Sequence, residues 1–148
     1  MIAVIGCGNP TRCDDGVAAE VLRLLAPRAP ADAKLLDAGT DGVAVMFAAR
    51  GCRRLVVVDA CRTGAEPGAV FEVPGAELAG DCGPPLATHE FRWDHALAAG
   101  RRIYRDDFPD DVTVFLIEAQ SLGFGIGLSA PVAASARLVA DRIAGLIA

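Results

Sequence analysis

Two aliphatic runs, Ile2-Ala3-Val4-Ile5 and Leu55-Val56-Val57-Val58, each break directly into a polar segment. Successive side chains of a strand face opposite ways, so a run apolar at every position reads as a strand covered on both faces, as in a parallel sheet. The first run leads into Gly6-Cys7-Gly8-Asn9-Pro10-Thr11-Arg12-Cys13-Asp14-Asp15-Gly16, and the second into Asp59-Ala60. In an open α/β sheet the loops leaving the carboxyl ends of strands line the ligand crevice. Asp15 and Asp59 are therefore expected at one sheet edge. His89, in Ala87-Thr88-His89-Glu90, could reach the same place. Two carboxylates and an imidazole make either a metal site or an acid–base site.

The chain has 148 residues, enough for one domain with an ordinary core, and a single domain over 1–148 is expected. Its apolar content of 53% excludes a disordered chain. The apolar stretches are interrupted well short of the roughly 20 residues a membrane span needs. With no basic leader or apolar signal core at the start, the expectation is a cytoplasmic protein with no membrane partner. Net charge is −5, and Lys34 is the one lysine among fourteen basic residues. No basic stripe interleaved with aromatics appears, so no nucleic-acid partner is expected. The five cysteines, Cys7, Cys13, Cys52, Cys61 and Cys82, are an odd number with no secretory signal expected, which argues against a disulfide framework, and they include no C-x-x-C pair for a zinc or redox site. Cys7 and Cys61 read as small buried residues. Cys13 and Cys82 flank the expected site, where a thiol ligand or redox role is the lesser alternative.

Strands are expected over about Ile2–Gly6, Lys34–Asp37, Arg54–Asp59 and Val112–Ile117, with Val70–Val73 as an added edge strand. Helices follow from Gly16 to about Leu25, around Val43, Met46 and Phe47, from about Arg92 to Tyr104, and from Pro131, a good first-turn residue. Pro74–Ala87, rich in glycine and proline, reads as a long loop. Strands alternating with helices imply right-handed crossovers. The expected fold is a three-layer α/β/α sandwich around a mostly parallel twisted sheet of about five strands.

The loop Gly6-Cys7-Gly8-Asn9 invites a dinucleotide-binding reading, with Asp37 as the ribose acid. That fingerprint needs a third glycine where Thr11 stands, and Asp14-Asp15 would put negative charge against a pyrophosphate. No nucleotide is expected. One of Asp14 and Asp15 reads as a helix cap; both cannot cap, which leaves the other, Asp15, for the crevice. Taken alone, His89 reads as a solvated or capping loop residue, and His95 as an outer-face helix residue with no role. No H-E-x-x-H or G-x-S-x-G motif occurs, and the serines are Ser121, Ser129 and Ser135 alone. Carboxylates beside a thiol would raise its pKa, which argues against a cysteine nucleophile.

Taken together, the segments resemble the maturation endopeptidases of nickel–iron hydrogenases. The resemblance runs through Ile5-Gly6-Cys7-Gly8-Asn9 with Asp14-Asp15-Gly16, and Asp37-Ala38-Gly39-Thr40-Asp41-Gly42. It continues in Val58-Asp59-Ala60 with Gly64-Ala65-Glu66-Pro67-Gly68, in Thr88-His89, and in Gly125-Ile126-Gly127-Leu128-Ser129-Ala130-Pro131-Val132. It implies an α/β protease that removes the C-terminal extension of a hydrogenase large-subunit precursor after nickel insertion. By the same resemblance the acidic metal ligand of the first loop falls on Asp15, the strand-end aspartate on Asp59 and the histidine on His89. These three would act as catalytic residues and metal ligands, on nickel supplied by the precursor. Nickel accepts nitrogen, oxygen and sulfur donors. Gly39, Thr40, Asp41 and Gly42 would position the substrate tail or the ligand loops. The stretch Glu90–Asp94 departs from the family pattern, and partner choice is expected there. Two other readings stand beside the peptidase: a nickel-sensing or chaperone-like protein that binds the precursor without cutting, and a nucleotide-dependent enzyme on the same fold. A monomer is the default oligomeric state.

Overall fold

The computed structural model describes residues 1–78 and 93–148. Within them five strands form one sheet: β1 (Ile2–Cys7), β2 (Ala33–Gly39), β3 (Arg54–Cys61), β4 (Val70–Pro74) and β5 (Asp111–Glu118). Their order is β2-β1-β3-β5-β4, parallel throughout except that β4 runs antiparallel to β5 at one edge. The α-helices among the described residues are α1 (Val17–Leu25), α2 (Gly42–Ala49), α3 (Trp93–Tyr104) and α4 (Ala130–Ile147). No described helix is long and apolar enough to cross a membrane.

Strand periodicity divides the core into two layers. Ile2 and Val4 of β1, Val56 and Val58 of β3, and Phe115 and Ile117 of β5 pack against α1 and α4. Ala3, Ile5 and Cys7 of β1, Leu55 and Val57 of β3, and Val112 and Val114 of β5 pack against α2 and α3. The expected three-layer sandwich is the observed one. On α4 the spacing Val132, Ala136, Val139, Ile143, Ile147 is buried as its helical period requires.

Two local expectations change, and the buried face of one expected helix is settled. The first helix begins at Val17, and Cys13–Gly16 forms a separate 3-10 turn before it. Gly75–Leu78, expected as loop, is another short 3-10 turn, and the rest of the expected loop lies outside the described residues. Around Val43, Met46 and Phe47 the helix is present, but its buried face is Val45, Met46 and Ala49, with Val43 and Phe47 exposed. That helix is apolar on nearly all sides, so spacing alone does not say which face turns inward.

Topology places the site. The chain leaves β1 for α1 on one face of the sheet, whereas α2 and α3 lie on the other face. The carboxyl ends of β1 and β3, adjacent in the sheet, are thus a topological switch point where a crevice opens.

Candidate active site

A cavity of about 650 Å³ lies at that switch point. Asp15 lines it from the turn after β1, Asp59 from the end of β3, and Gly39, Thr40, Asp41 and Gly42 from the connection between β2 and α2. Its volume is within the usual range for small-molecule and cofactor sites. The structure therefore brings six of the seven expected site residues to one place. His89 lies outside the described residues, as do Cys82 and Thr88.

Asp59 follows the strand period. Leu55, Val57 and Asp59 share the side of β3 that faces α2 and α3, so the carboxylate meets the first turn of α3. It is 7% exposed and accepts hydrogen bonds from the Ala60 N–H at 2.8 Å and the Trp93 indole Nε1–H at 3.0 Å. Trp93 is buried, and a buried indole N–H needs an acceptor. Asp59 and Trp93 satisfy each other and hold the carboxylate at the sheet edge.

Asp15 is positioned by the backbone of its own loop. The Asn9 N–H donates to its Oδ2 at 2.8 Å, while its Oδ1 has no hydrogen-bond partner among the described residues. The Asn9 side chain accepts from the Thr11 N–H and hydroxyl, closing a local turn. Gly8 makes this approach possible. Its φ is +129°, and a Cβ there would stand 2.1 Å from the Asp15 carbonyl oxygen. The Gly8 N–H also donates to the Gly39 carbonyl at 2.8 Å, tying the loops after β1 and β2 together. The Asp41 Oδ1 accepts from the Val43 and Ala44 N–H groups, so this cavity-lining residue is also the N-cap of α2.

Asp14 is not a helix cap. No side chain caps either Cys13–Gly16 or α1. Asp14 is instead fully buried and accepts from the N–H groups of Gln120, Ser121 and Ser129 and from the Ser129 hydroxyl. Burial opposes its ionisation, but these four donors outweigh burial and lower its pKa. It anchors the chain between β5 and α4. Glu118, buried at the end of β5, plays a matching part by accepting from the Thr63 hydroxyl and N–H; the Thr63 hydroxyl is the leading cause of its lowered pKa.

Two cysteine and histidine expectations also change. Cys7 is buried, but Cys61 is partly exposed; both line the cavity, and the Cys61 Sγ lies 3.6 Å from Glu118 Oε1. The His95 side chain is only 16% exposed, with its Nδ1 3.5 Å from Asp94, so it is not an outer-face residue. Among the described residues, no three His, Cys, Asp or Glu side chains gather as a metal cage. A cation meeting Asp15 and Asp59 would need further donors from the substrate or from beyond the described residues.

The contributions of Trp93 and Arg12 were not legible beforehand. Arg12 lines the cavity, donates from Nε to the Leu122 carbonyl at 3.0 Å, and stacks over the Phe124 ring at 4.9 Å. A buried tryptophan's need for an acceptor was an available signal for Trp93; no sequence signal marked Arg12.

Comparison with known proteins places the chain's fold and family. The family model HycI, hydrogenase maturation protease, matches residues 19–145. Among solved structures, the hydrogenase maturating endopeptidase HybD from E. coli has a TM-score of 0.81 at 23% identity, covering 96% of this chain and 88% of that one. The [NiFe] hydrogenase maturation protease HybD from Thermococcus kodakarensis has a TM-score of 0.78 at 21% identity, over 99% of both chains. HycI from Thermococcus kodakarensis KOD1 has a TM-score of 0.77 at 20% identity, over 99% of this chain and 91% of that one. Comparison with curated protein sequences gives no match.

Proposed function

The chain belongs to the hydrogenase maturation protease family, and from that premise we propose that it removes the C-terminal extension of a nickel–iron hydrogenase large-subunit precursor once nickel has been inserted. The observation that supports this reading most directly is the pairing of Asp15 and Asp59 in one cavity at the sheet's switch point. A protease with no serine, cysteine or zinc-binding motif needs another way to activate water or polarise a carbonyl. Carboxylates can do so as proton acceptors or as metal ligands.

In this reading nickel is part of the substrate. The precursor carries it into the cavity, and Asp15, Asp59 and His89 complete its coordination. The bound metal supplies Lewis acidity. The chain's own residues supply placement: Asn9 and Gly8 hold Asp15, Trp93 holds Asp59, and Gly39-Thr40-Asp41-Gly42 guides the tail. A carboxylate oxygen beside the scissile bond accepts the proton of the attacking water. With no thiolate among the three ligands, the free enzyme should hold nickel weakly.

The test is intact-mass analysis of a large-subunit precursor, with and without nickel, after incubation with this protein. Loss of a C-terminal peptide from the nickel-loaded form alone is the expected result. Cleavage of both forms would keep the peptidase and remove the nickel requirement. Binding without single-turnover cleavage would leave the chaperone-like reading. Asp15→Asn and His89→Ala should each slow processing on the order of 10²-fold to 10⁴-fold, the usual worth of a positioned acid–base group.

A further inference from the structure

The segment between β5 and α4 carries two large apolar side chains in the open. Phe124 is 88% exposed and Ile126 is 90% exposed. The backbone beneath them is firmly held. Gly125, the residue between them, receives a hydrogen bond on its carbonyl from the Cys13 N–H at 2.9 Å and donates to the Thr11 carbonyl at 2.8 Å. Asp14 clamps Gln120 and Ser121 on one side and Ser129 on the other. Phe124 and Ile126 thus project from a backbone pinned at its middle and at both ends. Ordering this segment on binding would cost little entropy, which is the condition for an efficient contact surface.

The same segment is continuous with the cavity. Leu122, two residues before Phe124, lines it, and so does Arg12, whose guanidinium lies over the Phe124 ring. Arg12 has no carboxylate partner among the described residues. An apolar pair bordered by a cation at the cavity's rim fits a protein surface presenting apolar side chains next to an acidic group. Through Arg12 and Leu122 the cavity that would take the precursor's tail is continuous with the Phe124 side of this segment.

We propose that Phe124 and Ile126 form a preorganised docking prong for the folded precursor, seated against the surface beside its C-terminal extension. The proposal rests on the peptidase reading for the identity of the partner. The physical driving force is burial of apolar surface exposed in the free protein.

The experiment compares wild type with the double variant Phe124→Ser, Ile126→Ser on the full-length, nickel-loaded precursor. Ile103→Ser is the control, because Ile103 is also strongly exposed but sits near the far end of α3 from Trp93. Affinity is measured by interferometry with a precursor whose scissile bond is made uncleavable by substitution of the residues flanking it, so that turnover does not intervene, and KM and kcat are measured with the cleavable precursor. The prong variant should bind about tenfold or more weakly, with a matching rise in KM. Its melting temperature should fall by no more than about 3 °C, since beyond the Arg12 guanidinium over Phe124 the removed groups touch mainly solvent. The control should behave as wild type. Equal affinity of prong variant and wild type overturns the proposal, whether or not cleavage occurs. Weaker binding by the variant in the absence of any wild-type cleavage keeps the prong and removes the peptidase reading. No binding by wild type removes both. A wild type that self-associates through these residues, with precursor affinity unaltered by the variant, assigns the patch to a second copy and overturns the proposal.

Discussion

The turn Cys13–Gly16 presents adjacent carboxylates to two different environments. On one side Asp14 is fully buried, with four donors converging on its two oxygens from a segment more than a hundred residues away. On the other side Asp15 accepts one backbone N–H and lines a cavity. A ligand could reach Asp14 only by stripping its donors, which would then be buried and unsatisfied. Asp15 can offer an oxygen at little cost. Donor saturation, more than residue type or position, separates the anchoring carboxylate from the available one.

That contrast can be broken by experiment. Asp14→Ala should have the largest effect, a loss of about 4 kcal/mol, because it orphans several N–H groups in the loop before α4. Urea denaturation checks it, and a loss under about 1 kcal/mol would mean water replaces the carboxylate readily. Gly8→Ala should follow at about 3 kcal/mol, combining a left-handed backbone with a clash against Asp15's carbonyl. If it instead proved neutral, the Gly8–Asp15 approach would not be what holds Asp15 in place.

Acid should separate the two sides more gently. Asp14 and Glu118 have folded pKa values below their ordinary 3.8 and 4.5. Their stabilisation is therefore complete above those ordinary values and disappears as pH falls through the lowered ones. Urea midpoints should be nearly level between about pH 7 and 5 and fall below about pH 4. Asp14→Asn should flatten part of that fall, and an unchanged acid slope would move the titration to other groups. Glu20, Asp32 and Glu72 are also lowered, chiefly by hydrogen bonds from arginines, but at the surface solvent screens such pairs. The smallest effect on stability is expected for Asp15→Asn, within about 0.5 kcal/mol, since it keeps the side chain's size and an oxygen for the Asn9 N–H. A large drop in melting temperature would make Asp15 a second anchor and dissolve the comparison.

Much of this was legible beforehand. The strands, the two-sided burial of the sheet and the inward face of α4 follow from local period, because covered strands and amphipathic helices carry their burial pattern in adjacent residues. The shared edge of Asp15 and Asp59 followed from where those strands break. Other features were not legible. Asp14 read as a cap because its true partners, Gln120, Ser121 and Ser129, are remote in the chain. Val43, Met46 and Phe47 marked a helix but not its inward face, which is Val45, Met46 and Ala49. Trp93 fell inside the helix expected from about Arg92 to Tyr104 with no role of its own, although its indole holds Asp59 across 34 residues of sequence.

Sequence by itself determined a covered parallel sheet and brought two carboxylates to its edge, since runs of apolar residues and the glycine and aspartate that end them act locally. Asp15 was already the expected crevice residue, but only the tertiary structure decided how Asp14 is spent, as an anchor for the segment before α4 and not as a helix cap. That choice depends on where distant backbone donors arrive, and their arrival is set by how β5 and α4 pack, not by anything written next to Asp14 or Asp15.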